Sequence, residues 1–498
     1  MKVKPAGMDE LDVRLLKLVS DVISIPVFHI IISLLKCRCP VKWKVAKIVP
    51  LPKNGKESFS GKNSRPVSIL PILSKIMEKI AYDQINLYFC KNGLNSSSQH
   101  AYKNGHSTTT ALAQNTDDWM NYIEDKKLVG TVLLDMSAAF DLLDHDLLLE
   151  KLRAYGFQNS AIQWVKSYLS NREFTVFFNG SYSESRSLSC GVPQGSCLGP
   201  LLFSIFTNEL PLILENATIV LYADDLTIYV SDHNLMNLNT RLNEELKVIE
   251  DWINENRLVI NAKKTKCLIG SPHLLKDSPV LNVSIGGSVI EQVVEAKLLG
   301  VKVDNMLSWN NQITYILNKF GKSLAMVRCC SKCIPYSVRK ILVESIVLCH
   351  LDYCSIIWSA TTESNFNKLQ VAQNKAARLV LSCSFRTSIE EMHHRLAWLH
   401  VKRRVHYSLI KFIRKIMITK APEILYNKVT FFRDVHQYST CQADEGSFFL
   451  PACRTNQSQK TVRYRAMVAW NSLPQFLNLQ LYVTTFCKRL RLFLLTQE

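Results

Sequence analysis

The chain has 498 residues, of which 60 are Lys or Arg and 42 are Asp or Glu, so its net charge is +18. Hydrophobic residues make up 47% and charged residues only 20%, which excludes a disordered or low-complexity chain and predicts globular domains. A surface this basic indicates a polyanionic partner, either nucleic acid or an anionic membrane face.

Two apolar stretches, 23–35 and 341–358, could in principle cross a membrane. The first contains Pro26 and His29, and the second contains three ionisable residues, so we expect neither to span a bilayer. No signal peptide is visible at the N-terminus. The fifteen Cys form no disulfide framework, which is typical of reduced thiols. We therefore expect an intracellular protein of the nucleus, the cytoplasm or both, with no membrane partner.

In chain order, helices and strands alternate up to about residue 305. The predicted elements are a strand at 131–134, a helix at 145–155, a hairpin whose first strand is 172–178 and whose turn is Asn179-Gly180, a hairpin of strands 217–222 and 226–230, and a helix at 235–255. From about residue 306 onward the pattern is mostly helical and basic. The stretches 395–420 and 446–497 contain no Asp or Glu, which favours nucleic-acid contact over an ordinary solvated face.

Three aspartates fall where predicted strands end. Asp224 and Asp225 follow the strand 217–222 in a tight turn, and Asp135 follows the strand 131–134. If these strands are neighbours, the carboxylates meet at one edge of a sheet, where they could hold two metal ions for in-line phosphoryl transfer. The alternative is an ordinary polar turn, with Asp135 merely capping the segment that follows it.

An ordered set of motifs carries a family resemblance. It comprises LLDMSAAFDLLDHDLLLEKLRAYGF (133–157), GVPQGSCLGPLLFSIFTNELP (191–211), LYADDLTIY (221–229), LVINAKKTK (258–266) and KLLGVKVDNMLSW (297–309). Together these closely resemble the reverse transcriptase of non-LTR (LINE-type) retrotransposons, in the jockey-like and chicken-repeat-like branch. Further likeness extends upstream through 41–53, 63–80 and 99–112, and downstream nearly to the last residue.

The resemblance implies a set of site residues. The metal-binding and catalytic carboxylates correspond to Asp135, Asp224 and Asp225, which would hold two Mg²⁺ ions, with Mn²⁺ as a substitute, and Lys264 corresponds to a lysine that protonates pyrophosphate. The nucleotide- and template-binding positions correspond to Arg65, Lys103, Phe140, Gln194 and Gly195, with Phe140 as the ring that excludes a 2′-hydroxyl. The primer-grip turn corresponds to Leu299, Gly300 and Val301.

The resemblance also implies the fold and its domain boundaries. We expect an α+β right-hand polymerase, with fingers and an antiparallel-sheet palm in 1–305, a helical thumb in 306–360 and a basic, mostly helical C-terminal region in 361–498. The family usually has Phe-Arg where this chain has Tyr102-Lys103, which keeps the charge but loses the bidentate fork. The likeness begins near residue 4, so we expect no N-terminal endonuclease.

The implied function is RNA-directed DNA polymerisation, with an RNA template, a DNA primer and deoxynucleoside triphosphates as partners. A separate endonuclease is a further candidate partner. We expect Lys402, Arg403 and Arg404, in the acid-free stretch 395–420, to contact nucleic-acid phosphates. Two alternatives stay open at this point: a catalytically silent nucleic-acid-binding relic of a 5′-truncated element, and a polymerase that copies DNA templates.

Overall fold

The computed structural model describes residues 6–36, 38–52, 64–271, 279–435, 446–453, 455–478 and 482–496. Strands in the described residues are β1 Val45–Pro52, β2 Ser64–Ile69, β3 Leu128–Asp135, β4 Arg172–Phe178, β5 Ser181–Tyr182, β6 Arg186–Leu188, β7 Thr218–Tyr222, β8 Asp225–Asp232, β9 Lys266–Gly270, β10 Ser284–Ile285, β11 Ser288–Val289, β12 Glu291–Gln292, β13 Glu295–Leu298 and β14 Val301–Asp304.

Helices alternate with these strands and then dominate the second half of the chain. They are α1 Val13–Leu18, α2 Ser20–Lys36, α3 Ile72–Lys91, α4 Thr108–Glu124, α5 Ala139–Leu142, α6 His145–Ala154, α7 Asn159–Leu169, α8 Gly199–Phe206, α9 Leu235–Glu255, α10 Asn310–Cys330, α11 Tyr336–Leu342, α12 Cys349–Asp352, α13 Ser355–Trp358, α14 Glu363–Leu381, α15 Ile389–Leu396, α16 Val401–Thr419, α17 Glu423–Tyr426, α18 Phe432–Val435, α19 Asn456–Gln459, α20 Val462–Asn471, α21 Gln475–Asn478 and α22 Val483–Thr496.

The central sheet has the strand order β12-β9-β3-β8-β7, and β3 is antiparallel to both β8 and β9. Its long strands are apolar on both faces because helices cover both: Tyr229 of β8 packs into the core that contains α4, whereas its neighbours Ile228 and Val230 pack into the core that contains α9. The apolar stripe of α9 crosses β3 at Gly130, where a Cβ would lie 3.2 Å from the Leu242 side chain. Glycine at this position therefore allows the helix to pack closely on the sheet.

A second sheet has the order β2-β1-β4-β5, with β6 also paired to β4, and its strands come from the chain both before and after β3. Strands β1 and β4 run parallel although about 120 residues separate them. The turn between β4 and β5 has positive φ at both Asn179 and Gly180, which confirms the predicted Asn-Gly hairpin. This second sheet is called the fingers sheet below because β2 carries Arg65, a predicted nucleotide-binding position, and its assignment to the fingers stays a prediction.

The helical second half of the chain shares one core with α4 and one face of the central sheet. Buried residues from Ala111 on α4 to Leu494 on α22 form a single cluster. A separate cluster of buried residues runs from Ile31 to Ile290 and lies on the other face of the sheet. The α+β class is thereby confirmed, while the divisions at residues 305 and 360 stay predictions, because this shared core crosses both of them.

The net charge alone is compatible with an anionic membrane as a partner as well as with nucleic acid. In the described part of the chain, no helix is both long and apolar enough to cross a membrane.

Candidate active site

The three aspartates that the sequence singled out lie at one end of the central sheet. Asp135 is the last residue of β3 and pairs in register with Asp225, the first residue of β8. Asp224 lies in the turn that joins β7 to β8. The prediction of a turn holding both acids needs one correction: the turn is Ala223-Asp224, and Asp225 already belongs to the strand because it pairs with Tyr222.

The negative charge of this cluster is only partly compensated by nearby cations. Loss of hydration, together with the charges of Asp224 and Asp135, raises the pKa of Asp225 to about 6. Burial and the charge of Asp135 also raise the pKa of Asp224. A cation lies beside them, since Lys264 Nζ is 3.3 Å from Asp135 Oδ2. Carboxylates that repel one another in this way suit a divalent cation with oxygen ligands.

The cluster does not form a finished metal cage. Among the residues that the structure describes, no group of three or more His, Cys, Asp or Glu side chains is arranged so that it could hold a metal ion. The donor types nevertheless fit Mg²⁺, which uses one or two carboxylates and keeps several waters or substrate oxygens as its other ligands. The role of Asp135, Asp224 and Asp225 as metal-binding residues therefore stays a prediction.

The turn that carries Asp224 is held by residues that the sequence did not indicate. The main chain of the segment 98–100 pairs with β7 through a bridge between Gln99 and Leu221. The Oε1 of Gln99 accepts hydrogen bonds from the backbone N–H of Ala101 at 2.9 Å and of Ala223 at 3.2 Å. Gln99 follows a serine-rich loop, and nothing in its local sequence indicates a contact with residue 223.

Phe140 and Gln194 are each held by contacts with a neighbouring side chain. Phe140, on the short helix α5, stacks on Phe203 with ring centroids 4.6 Å apart. The side-chain amide of Gln194 donates to both carboxylate oxygens of Asp141 at 2.9 Å, so the residue next to Phe140 fixes the orientation of Gln194. Asp141 is a second residue that the sequence motifs did not indicate.

Gly195 is required by backbone geometry. Its φ is +122°, and a Cβ at this position would lie 2.5 Å from the carbonyl oxygen of Ser68 on β2. The N–H of Ser68 in turn donates to the carbonyl oxygen of Gln194 at 2.7 Å. The loop is thus joined to the fingers sheet by main-chain contacts that only glycine permits.

A cavity of about 560 Å³ lies between this loop and the fingers sheet. Its walls are mostly apolar and include Pro50, Pro66, Phe174 and Val192, and Gln194 lies at its edge. Of the predicted nucleotide- and template-binding residues, Gln194 lines this cavity.

Arg65 and Lys103 differ in their exposure to solvent. Arg65 on β2 is exposed, and its charge lowers the pKa of Asp224 and of Asp225. Lys103 instead donates through Nζ to the carbonyl oxygen of Ser96 at 2.6 Å, and burial lowers its pKa to about 8. Its contact with a triphosphate or template stays a prediction, and in this structure its ammonium is turned away from solvent.

The predicted primer-grip turn joins β13 to β14. Leu299 and Gly300 both have positive φ, which is the geometry of a two-residue hairpin turn, and Val301 is buried in the core. The phenol of Tyr353 donates to the carbonyl oxygen of Leu299 at 2.7 Å. Tyr353 therefore fixes this turn from the helical half of the chain.

The three cations proposed to contact nucleic acid are already engaged within the chain. Lys402 forms an ion pair with Glu363, and Arg403 donates to the carbonyl oxygen of Leu494 at 2.9 Å. Arg404 makes two hydrogen bonds to Asp352, at 3.1 and 2.6 Å. The sequence did not indicate these partners, because all three lie at least 39 residues away along the chain.

Comparison with known proteins agrees with this geometry. Residues 51–303 match the family model described as "Reverse transcriptase (RNA-dependent DNA polymerase)". The chain is 30% identical over 380 residues to the "Probable RNA-directed DNA polymerase from transposon BS" of Drosophila melanogaster, which covers 72% of this chain and 40% of that protein. It is 27% identical over 393 residues to the "RNA-directed DNA polymerase from mobile element jockey" of Drosophila funebris, which covers 76% of this chain and 42% of that protein.

The chain thus spans about two fifths of the length of these relatives. Among solved structures, apo telomerase from Candida Tropicalis overlaps 85% of this chain and 76% of its own, with a TM-score of 0.39 and 12% identity.

Proposed function

Because the chain belongs to the reverse transcriptase (RNA-dependent DNA polymerase) family, with mobile-element relatives of the jockey type, we propose that it is the RNA-directed DNA polymerase of a non-LTR retrotransposon. In this proposal it adds deoxynucleotides to the 3′-hydroxyl of a DNA primer on an RNA template. The observation that carries the proposal is the convergence of Asp135, Asp224 and Asp225 at one end of the central sheet.

The raised pKa values of Asp224 and Asp225 support a role for divalent cations at this site. When bound, Mg²⁺ would supply positive charge that activates the primer hydroxyl and stabilises the leaving pyrophosphate. Lys264 would donate a proton to that pyrophosphate, and its position 3.3 Å from Asp135 supports this role. We also propose that Arg65, which is exposed and acts on the same carboxylates, binds the incoming triphosphate.

The contacts that hold Phe140 and Gln194 support a role in selecting the nucleotide. We propose that the ring of Phe140, held in place by its stack on Phe203, excludes a 2′-hydroxyl from the incoming sugar. Gln194, held by Asp141, would orient the nucleotide or the template base. The contact between Gly195 and the fingers sheet keeps the loop close to this position.

A cluster of lysines supports binding of nucleic acid beside the primer-grip turn. Lys297, Lys302 and Lys319 lie 5.6, 5.9 and 4.7 Å from the centre of the Tyr315 ring. Partial burial raises the pKa of Tyr315, but hydrogen bonds and charge from Lys319 and Lys297 outweigh it, so the pKa is lowered. Glu295 forms an ion pair with Lys302. Lys297 and Lys319 are exposed, so we propose that they contact backbone phosphates of the primer and template.

The role of Lys402, Arg403 and Arg404 in nucleic-acid binding also stays a proposal. Because each has a partner within the chain, binding a phosphate would require that partner to be exchanged. Neutralising all three should therefore affect the packing of α16 as well as RNA affinity.

Primer extension on an RNA template tests the proposed function. Asp224→Asn should abolish extension in Mg²⁺ and in Mn²⁺, because it removes charge at the metal-binding end of the sheet while nearly preserving shape. The matched control is Asp251→Asn, an exposed carboxylate on α9 that pairs with Lys247, which should extend like the wild type.

The same assay separates the alternatives. Wild-type protein that binds RNA but never extends a primer would support the silent relic and contradict the polymerase. Extension on DNA templates that equals or exceeds extension on RNA templates would favour a DNA-copying enzyme. Near-normal extension by Asp224→Asn would contradict the two-metal assignment.

A further inference from the structure

The segment that precedes α4 forms an additional edge to the central sheet. The N–H of Leu221 donates to the carbonyl oxygen of Ser98, and the N–H of His100 donates to the carbonyl oxygen of Leu221, both at 2.8 Å. These bonds align Gln99 with the last residues of β7, immediately before the turn that carries Asp224.

The side chain of Gln99 is buried, with 3% of its surface exposed. Its Oε1 accepts hydrogen bonds from the N–H groups of Ala101 and Ala223. Its Nε2 has no hydrogen-bond partner within the residues that the structure describes. The side-chain carbonyl oxygen of Gln99 therefore joins the segment 98–101 to the turn that carries Asp224.

The residue that receives this contact has an unfavourable backbone conformation. Ala223 has φ = +58°, a left-handed conformation that residues other than glycine, Asn and Asp rarely adopt. Such a conformation persists only where surrounding contacts fix it. The hydrogen bond from the Ala223 N–H to Gln99 is a contact of this kind, and Asp224 is the next residue in the chain.

We infer that Gln99 is a positioning residue, which holds the Ala223-Asp224 turn so that Asp224 faces Asp135 and Asp225. This inference rests on the proposed polymerase function. Gln99 does not touch the reacting groups, and it acts through the backbone of residue 223. Without its acceptor, the turn would leave its left-handed conformation and displace the Asp224 carboxylate.

The test uses Gln99→Met, which keeps the length of the side chain and removes the acceptor. We expect kcat for primer extension to fall by about tenfold to a hundredfold, the scale expected for a displacement of about 1 Å. The Mg²⁺ concentration for half-maximal rate should rise, and KM for the deoxynucleotide should change by less than about threefold. The matched control is Gln373→Met, another buried glutamine that bonds a backbone group, the carbonyl oxygen of Leu399, and it should leave kcat and the Mg²⁺ dependence unchanged.

A second substitution separates positioning from a general loss of stability. Because glycine adopts positive φ without strain, Ala223→Gly in the Gln99→Met background should recover part of the lost kcat. Amide hydrogen exchange across residues 218–226 should become faster in Gln99→Met and stay unchanged in Gln373→Met.

The outcomes separate this inference from the proposed function. A wild type that extends primers, together with a Gln99→Met variant of normal kcat and Mg²⁺ dependence, overturns the role of Gln99 and leaves the polymerase intact. An inactive wild type overturns the polymerase, and the exchange measurement then decides whether Gln99 fixes the turn. Unchanged exchange at 218–226 overturns the inference in either case.

Discussion

Replacing Asp117 tests how the helical second half of the chain is attached to the central sheet. Asp117 is buried on α4, and its carboxylate oxygens accept hydrogen bonds from the N–H groups of Val462 at 2.6 Å and Arg463 at 3.0 Å. These are the first two N–H groups of α20, which the helix itself leaves without acceptors. A side chain 345 residues away in sequence therefore caps this helix.

Asp117 affects the stability of the folded protein in two ways, through its charge and through its hydrogen bonds, and the charge effect depends on pH. Burial raises the pKa of Asp117 from 3.8 to about 6, although its hydrogen bonds lower it in part. Between these two pH values the carboxyl ionises in the unfolded chain while it stays protonated in the folded protein. The folded protein then binds more protons, so stability falls as pH rises. Over that interval the loss from this one group is about 3 kcal/mol.

Asn and Ala variants divide the charge effect from the hydrogen-bond effect. Asp117→Asn keeps an acceptor and cannot titrate, so its unfolding free energy relative to the wild type should increase by about 3 kcal/mol from pH 4 to pH 7. Asp117→Ala also cannot titrate, but it leaves two buried N–H groups without an acceptor. It should therefore be less stable than Asp117→Asn by about 1 to 3 kcal/mol at every pH.

The assay is urea unfolding between pH 4 and pH 7, followed by fluorescence of the tryptophans, which include Trp119 on α4 and Trp470 on α20. Asp125→Asn, an exposed carboxyl group at the end of α4, is the control and should keep the pH dependence of the wild type. If the wild type and Asp117→Asn differ by the same amount at all pH values, the pH argument is wrong. Equal stability of the Asn and Ala variants would refute the capping role.

Two further predictions concern the substrate. Phe140→Ala should allow ribonucleotides to be incorporated more readily, measured as the ratio of kcat/KM for deoxy- and ribonucleotides, because the ring that would collide with a 2′-hydroxyl is gone. An unchanged ratio would mean that Phe140 serves only to pack on Phe203. Lys297→Gln with Lys319→Gln should make the slope of log affinity against log salt shallower by about 1.4 to 1.8 in primer–template binding, because two phosphate contacts are lost. Lys247→Gln, which removes a lysine of α9 paired with Asp251, should leave that slope unchanged.

Local sequence patterns determined much of the secondary structure. The helix predicted at 235–255 has these same bounds in α9, and the strand predicted at 172–178 has the bounds of β4. Both follow from interactions between residues that are near in the chain: apolar side chains three and four apart form one face of a helix, and an Asn-Gly pair favours a hairpin turn. The positions of Asp135 and Asp224 at the ends of strands could also be predicted, because the strand patterns that precede them are local.

Only the tertiary structure decided which of these residues meet. The register of Asp135 with Asp225 depends on the pairing of two strands about 90 residues apart, and the hydrogen bond from Ala223 to Gln99 spans 124 residues. The position of Lys103 against the carbonyl oxygen of Ser96 reflects how its own loop packs.

The basic stretch 395–420 also shows that composition does not determine which residues meet. Its composition predicts a cationic surface, but Arg404 pairs with Asp352 and Lys402 with Glu363 once the helices have packed together. Charge is a property of composition, whereas the choice of a partner depends on distance in three dimensions. A cation that already has a partner within the chain can bind a phosphate only by exchanging that partner.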